Sequence, residues 1–216
     1  MIAIKTDGGQ IGWRFGLRWV LYTIAGLIIG FIAGFVLGEI GLGYIGTETI
    51  MAAVVGFMQW LVLRRVVKIG GFWILANIIG FAISSSIHSA AIYIWKLPED
   101  LGIGLGVIGW TIAFTIGGAI SGIFQYRLLR RHFQKSLLWI PANAIGWGLG
   151  MGGMGIIILI FNMIKSSQFI ILLLRESAPL FSLFISPVIL GVITAGTLIW
   201  LIRRPTQQIL DTATQK

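Results

Sequence analysis

The chain contains no cysteine. That absence excludes a disulfide framework, a thiolate metal site and a catalytic thiol. Charge is scarce as well: Asp, Glu, Lys and Arg make up 11% of 216 residues, against about 25% in a soluble domain. Only seven residues are acidic. The pattern places no Asp, Glu or Lys deep within an apolar stretch, where pumps and coupled transporters carry their ionisable groups. There is no glycine-rich phosphate loop and no carboxylate pair. Together these absences predict a protein that is not an enzyme and that requires no cofactor.

Apolar residues account for 57% of the chain and mean hydropathy is +0.95. A helix needs about 20 such residues to cross the hydrocarbon of a bilayer. Six stretches qualify: 17–40, 47–64, 71–95, 101–129, 137–164 and 181–202. The first is too long for a signal-peptide core and lacks a cleavage-type ending, so it is expected to be retained. The segment 167–174 is too short to cross and is followed by Arg175 and Glu176, which predicts an interfacial piece or a shallow re-entry. The expected fold is all-α, an integral membrane bundle of six transmembrane helices in a single domain.

All but three of the 16 basic residues fall on one side of these spans, the exceptions being Lys96, Lys165 and Arg175. Basic residues cluster on cytoplasmic loops, so both termini are predicted to be cytoplasmic. The same sorting accounts for the net charge of +9 without nucleic acid as a partner. The arginine pairs Arg64 and Arg65, Arg130 and Arg131, and Arg203 and Arg204 are expected to contact anionic lipid head groups.

Two segments align without gaps at an offset of 66 residues. GFMQWLVLRRVVKIGGFWILANIIG at 56–80 matches GIFQYRLLRRHFQKSLLWIPANAIG at 122–146. A fainter copy places Trp19, Thr23 and Gly26 on Trp73, Asn77 and Gly80, and Trp200 with Arg203 and Arg204 echoes Trp60 with Arg64 and Arg65. The chain is thereby read as three helical hairpins, 19–65, 73–131 and 139–204, followed by a short polar tail at 205–216. Each hairpin starts and ends on the same side, as parallel repeats do.

Gln59 and Asn77 are both nine residues from Lys68, and Gln125 and Asn143 are both nine from Gln134. Antiparallel helices bring residues equidistant from a turn to the same depth. The expectation is a Gln59–Asn77 clamp and a Gln125–Asn143 clamp between helices, with an apolar seam where spans one and six meet, Thr23 opposite Ile199 or Trp200. A polar lining for a solute path is the alternative role for these amides. Trp60, Tyr126, Trp73 and Trp139 are assigned to the interfacial aromatic belt.

Thirty glycines are present. Gly26, Gly30, Gly34 and Gly38 share one helix face, and six more fall between Gly146 and Gly155, a pattern suited to close helix packing. A groove for a flat pigment or lipid is the alternative. His88, following Ser84, Ser85 and Ser86, is a candidate ligand or gate together with Ser85. Ser121 sits in a small-Ile-Ser-Gly context reminiscent of intramembrane serine proteases. Ala119 stands where those enzymes have glycine, and the last span has no histidine.

The hairpins carrying GxxQ[WY]xxLRR followed by WxxAN resemble uncharacterised multi-pass bacterial membrane proteins of cyanobacterial type. The resemblance covers 56–80 and 122–146 and implies residence in a bacterial plasma membrane or a thylakoid membrane, with no activity attached. The composite expectation is a structural or accessory protein of a membrane complex, contacting lipids and other membrane-protein subunits. A passive channel for a small neutral solute is the runner-up. Where the amides point, toward neighbouring helices or into a common lumen, distinguishes the two.

Overall fold

A computed structural model describes residues 12–38, 41, 43–95, 99–163 and 168–203. Six long helices follow one another: α1 (Trp13–Leu37), α2 (Gly43–Leu63), α3 (Phe72–Trp95), α4 (Glu99–Leu129), α5 (Trp139–Met163) and α6 (Gln168–Ile202). Each packs antiparallel on the next, and α6 returns against α1, so the six form a closed ring. Among the described residues, five helices contain segments long and apolar enough to cross a membrane, in α1, α2, α3, α4 and α6. Large apolar side chains such as Leu21, Phe35, Ile112, Ile145, Leu149 and Val192 face outward, as they would toward lipid.

The segment 168–174 is not a separate interfacial piece. It forms the first turns of α6, one uninterrupted helix of 35 residues. Arg175 and Glu176 lower the local hydropathy, but both residue types are good helix formers, so apolarity stops there while the helix does not.

Glycine sets the distance between neighbouring backbones. A Cβ on Gly26, Gly30 or Gly34 of α1 would come within 2.9 Å of Val55 Cα, 2.8 Å of Met51 Cα and 2.8 Å of the Thr47 carbonyl oxygen on α2. On α5 the glycines divide by face. Gly148, Gly152 and Gly155 approach Thr115, Thr111 and Val107 of α4, while Gly146 and Gly150 approach Leu190 and Ser186 of α6. The fifth helix is thus held closely on both sides at once.

The start of α1, the end of α6 and the turns at 64–71 and 130–138 lie at one end of the ring. Both turns fold inward. Val67, Ile69 and Phe133 are buried against the helix ends, and Trp60 Nε1 donates to the Ile69 carbonyl at 2.9 Å. Lys135 takes the left-handed conformation, φ 57°, just before a short 3-10 turn at Ser136–Leu138. His132, in the second turn, is half-buried against Phe133 and bonded to the backbone of Lys68, so the two turns touch.

Replacing Gly30 by Ala forces a methyl group against the Met51 backbone and should destabilise the bundle by about 1–3 kcal/mol. Gly153→Ala meets only Ile189 Cδ1 at 3.7 Å and should be neutral or gain up to about 1 kcal/mol of helix propensity. Thermal unfolding in detergent separates the pair, and equal effects would refute the close α1–α2 contact.

A second expectation concerns His132. Burial, together with the charge of Arg131, holds its imidazole below the ordinary value of 6.5, partly offset by the bond to Lys68. A depressed pKa means stability that is complete above about pH 6.5 and declines as pH falls through the folded-state value. Unfolding temperatures measured across this range should show that decline in the native chain and a smaller one in His132→Asn.

Candidate functional site

Three tryptophans meet inside the ring near its arginine-bearing end. Trp19 of α1, Trp73 of α3 and Trp139 of α5 are fully buried. Their ring centroids lie 6.2 Å apart for Trp19–Trp73, 6.2 Å for Trp19–Trp139 and 5.5 Å for Trp73–Trp139. Leu63, Leu129 and Leu198 from the other three helices surround them. Trp73 and Trp139 therefore belong to the centre of the core and not to an interfacial belt. Bulk and apolarity suit either place, and a helix face alternating with glycine turned these rings inward. Trp60 and Tyr126 are partly exposed, and the Arg64 guanidinium covers the Trp60 ring at 4.6 Å.

Polar groups surround this triad. Gln125 Oε1 accepts from Trp139 Nε1 at 2.7 Å and from Asn143 Nδ2 at 3.2 Å. The expected Gln125–Asn143 bond is thus present, and Trp139 shares it. At the first turn the expected pair is not formed. Gln59 Nε2 donates to Thr23 Oγ1 of α1 at 3.4 Å, and Asn77 Nδ2 donates to the Trp73 carbonyl of its own helix at 3.0 Å. Equal depth was met, but the side chain of Gln59 has a second polar neighbour at the same level on its other flank.

The α1–α6 contact also departs from expectation. Trp19 Nε1 donates to Thr194 Oγ1 at 2.8 Å, so the seam carries a buried hydrogen bond. Ile199 lies against Gly16, not Thr23. The residue facing the tryptophan is Thr194, three positions after Gly191, as Gln125 is three after Gly122. A Cβ on Gly56, Gly122 or Gly191 would approach the Cα of Ile74, Ile140 or Val20 at 3.1, 3.0 and 3.1 Å. Each of these three residues directly follows a triad tryptophan. One contact geometry therefore recurs at three helix pairs, and the counterpart of Trp60 is Ala195, five residues before Trp200.

A second polar group lies toward the opposite end. Glu48 of α2 is buried, with 7% of its surface exposed. No role for it was read from the sequence. The Ser85 hydroxyl of α3 stands 3.0 Å from Glu48 Oε2 and 3.0 Å from the Phe81 carbonyl. His88, one turn further along α3, packs on the Trp110 ring of α4 at 5.6 Å. The signal for Glu48 was available: it and His88 are each twenty residues from Lys68, the same equal-depth rule that singled out the amides. Trp110 and Ser121 are eleven residues apart on α4, about 16 Å of helix, so His88 and Ser121 are not brought together.

Arg64, Arg65, Arg130, Arg131 and Arg203 are all exposed at the arginine-bearing end. Arg204 lies outside the described residues. Among the described residues no group of three or more His, Cys, Asp or Glu side chains is arranged to hold a metal ion.

Thermal unfolding of single and double variants tests the amide geometry. Gln125→Ala removes the acceptor of Trp139 Nε1 and leaves Asn143 Nδ2 only its 3.4 Å bond to the Trp139 carbonyl, and should cost more than Asn143→Ala. The pair should show a coupling of about 0.5–2 kcal/mol. Gln59→Ala and Asn77→Ala should be nearly additive, with the coupling transferred to Gln59 and Thr23. Strong coupling between Gln59 and Asn77 would contradict the first-turn geometry. Compared with protein-family models, curated proteins and solved structures, the chain has no match.

Proposed function

We propose that this chain is a non-enzymatic integral membrane protein with a structural or accessory role in a larger membrane complex. The observation that carries this reading is the direction of the buried polar groups. Gln125 and Asn143 bond each other and Trp139, Gln59 bonds Thr23, and Trp19 bonds Thr194. Each is directed at a neighbouring helix or at the triad, and the triad occupies the middle of the ring where a conduit would have to run. Buried hydrogen bonds of this kind fix helix register, which suits a rigid scaffold.

Further features support the reading. Three tryptophans, each faced across its helix pair by a glycine and a glutamine or threonine, fit three hairpin repeats about an axis along the membrane normal. The exposed arginines, collected at one end, fit cytoplasmic termini and contact with anionic lipid head groups in a bacterial plasma membrane or a thylakoid membrane. The broad apolar exterior offers area to lipid tails and to other membrane-protein subunits alike.

The discriminating measurement is solute flux. Proteoliposomes should swell in glycerol or urea gradients no faster than empty vesicles, while mild-detergent extracts of the native membrane should contain the chain in an assembly larger than one copy, with defined partner subunits. Accelerated swelling that Gln125→Ala alters would overturn the proposal in favour of a passive channel.

A further inference from the structure

The cluster of Glu48, Ser85 and His88 has no part in the amide and tryptophan network. A carboxyl group inside an apolar bundle is costly unless it is neutral or well partnered, and such a residue within a membrane segment is a functional-site candidate by default. Glu48 belongs to the part of α2, 46–63, that is long and apolar enough to cross a membrane. Its neighbour Ser85 has one hydroxyl proton and two acceptors at the same 3.0 Å distance, Glu48 Oε2 and the Phe81 carbonyl.

That arrangement accommodates either protonation state of the carboxyl group without moving a heavy atom. With Glu48 ionised, the Ser85 proton points at Oε2. With Glu48 protonated, the carboxyl O–H donates to Ser85 Oγ, and the Ser85 proton turns to the Phe81 carbonyl. In both states every proton has an acceptor. We propose that Glu48, Ser85 and His88 form a proton-binding site, in which the Glu48 carboxyl group takes up one proton and Ser85 switches its hydrogen bond to match.

The groups around Glu48 define the site's setting. From α1 the neighbouring turn, Gly34 to Gly38, contributes no titratable side chain. From α3 the titratable neighbour is His88, and from α4 the ring packed on it is Trp110. Tyr44, Tyr93, Glu39, Lys96, Glu99, Asp100, Lys165, Arg175 and Glu176, the other titratable or charged residues toward this end, have side chains outside those described. On the inner side lies an apolar layer including Met51, Val55, Phe81, Phe114 and Trp147, followed by the tryptophan triad. The proton therefore exchanges with the end of the ring opposite the arginines. His88 is placed one helical turn from Ser85 as the second proton carrier, histidine being the side chain suited by type to exchange protons.

Infrared difference spectroscopy of the full chain in lipid nanodiscs, with carbon-13 glutamate, tests this between about pH 4 and 9. A glutamic-acid carbonyl band that moves with the isotope should appear on acidification. It should be absent from Glu48→Gln and displaced in frequency in Ser85→Ala, because the protonated carboxyl loses its acceptor. His88→Asn should keep the band and shift its pH midpoint. If Glu48→Gln does not fold, the Ser85→Ala displacement alone carries the test. An isotope-sensitive band identical in native and Ser85→Ala protein, or no such band at any pH, overturns the proposal.

Discussion

Three indole rings packed edge and face against one another, 5.5 to 6.2 Å apart, are the contact that makes a ring of six helices closed instead of an open row. Aromatic pairs of this geometry contribute about 0.5–1.5 kcal/mol each beyond their area. Their larger effect is geometric. Trp19, Trp73 and Trp139 come from alternate helices, so the triad draws α1, α3 and α5 to a common centre, and α2, α4 and α6 fill the spaces between with Leu63, Leu129 and Leu198. If any indole were lost, an odd-numbered helix would lose its anchor at the centre.

The glycines make that convergence possible. In a bilayer no hydrophobic drive holds helices together, because lipid tails are as apolar as the side chains. Contact must come from dispersion at short range, and the α1 glycines let Val55 and Met51 of α2 approach to distances that a methyl group would prevent. The glycines at 146–155 serve two neighbours through alternate faces of one helix. Helix α5 presents glycine to both neighbours in this region, so its position is set from both sides.

Much of this was legible in the residues, and the failures are instructive. Helix number and order followed from runs of apolarity separated by charge. The Gln125–Asn143 bond followed from counting residues either side of a turn. The same count gave Gln59 the wrong partner, since it fixes depth but not direction around a helix, and Thr23 shares that depth. Tryptophan burial could not be read from hydropathy, since an indole suits an interface and a core equally. The α6 contact was misaligned because the arginine pair drew Trp200 onto Trp60, whereas spacing from Gly191 to Thr194 is what governs packing. Glu48 was missed because one acidic residue at the edge of an apolar stretch looks like the polar boundary of the span; its side chain is buried with the Ser85 hydroxyl of the next helix against it.

Closure of the ring has a consequence for the chain as a polymer. The start of α1 and the end of α6 lie side by side, with Gly16 against Ala195 and Gly12 near Arg203. Every neighbouring pair of helices is antiparallel, including this first-to-last pair, so the pairing of the helices does not depend on where the polypeptide is cut. The order of the helices along the chain is one of several threadings of the same architecture. A circularly permuted chain, joined between α6 and α1 and opened at the 64–71 turn, would keep all six helix pairs adjacent and would give up contacts of that turn, the Trp60–Ile69 and His132–Lys68 bonds among them.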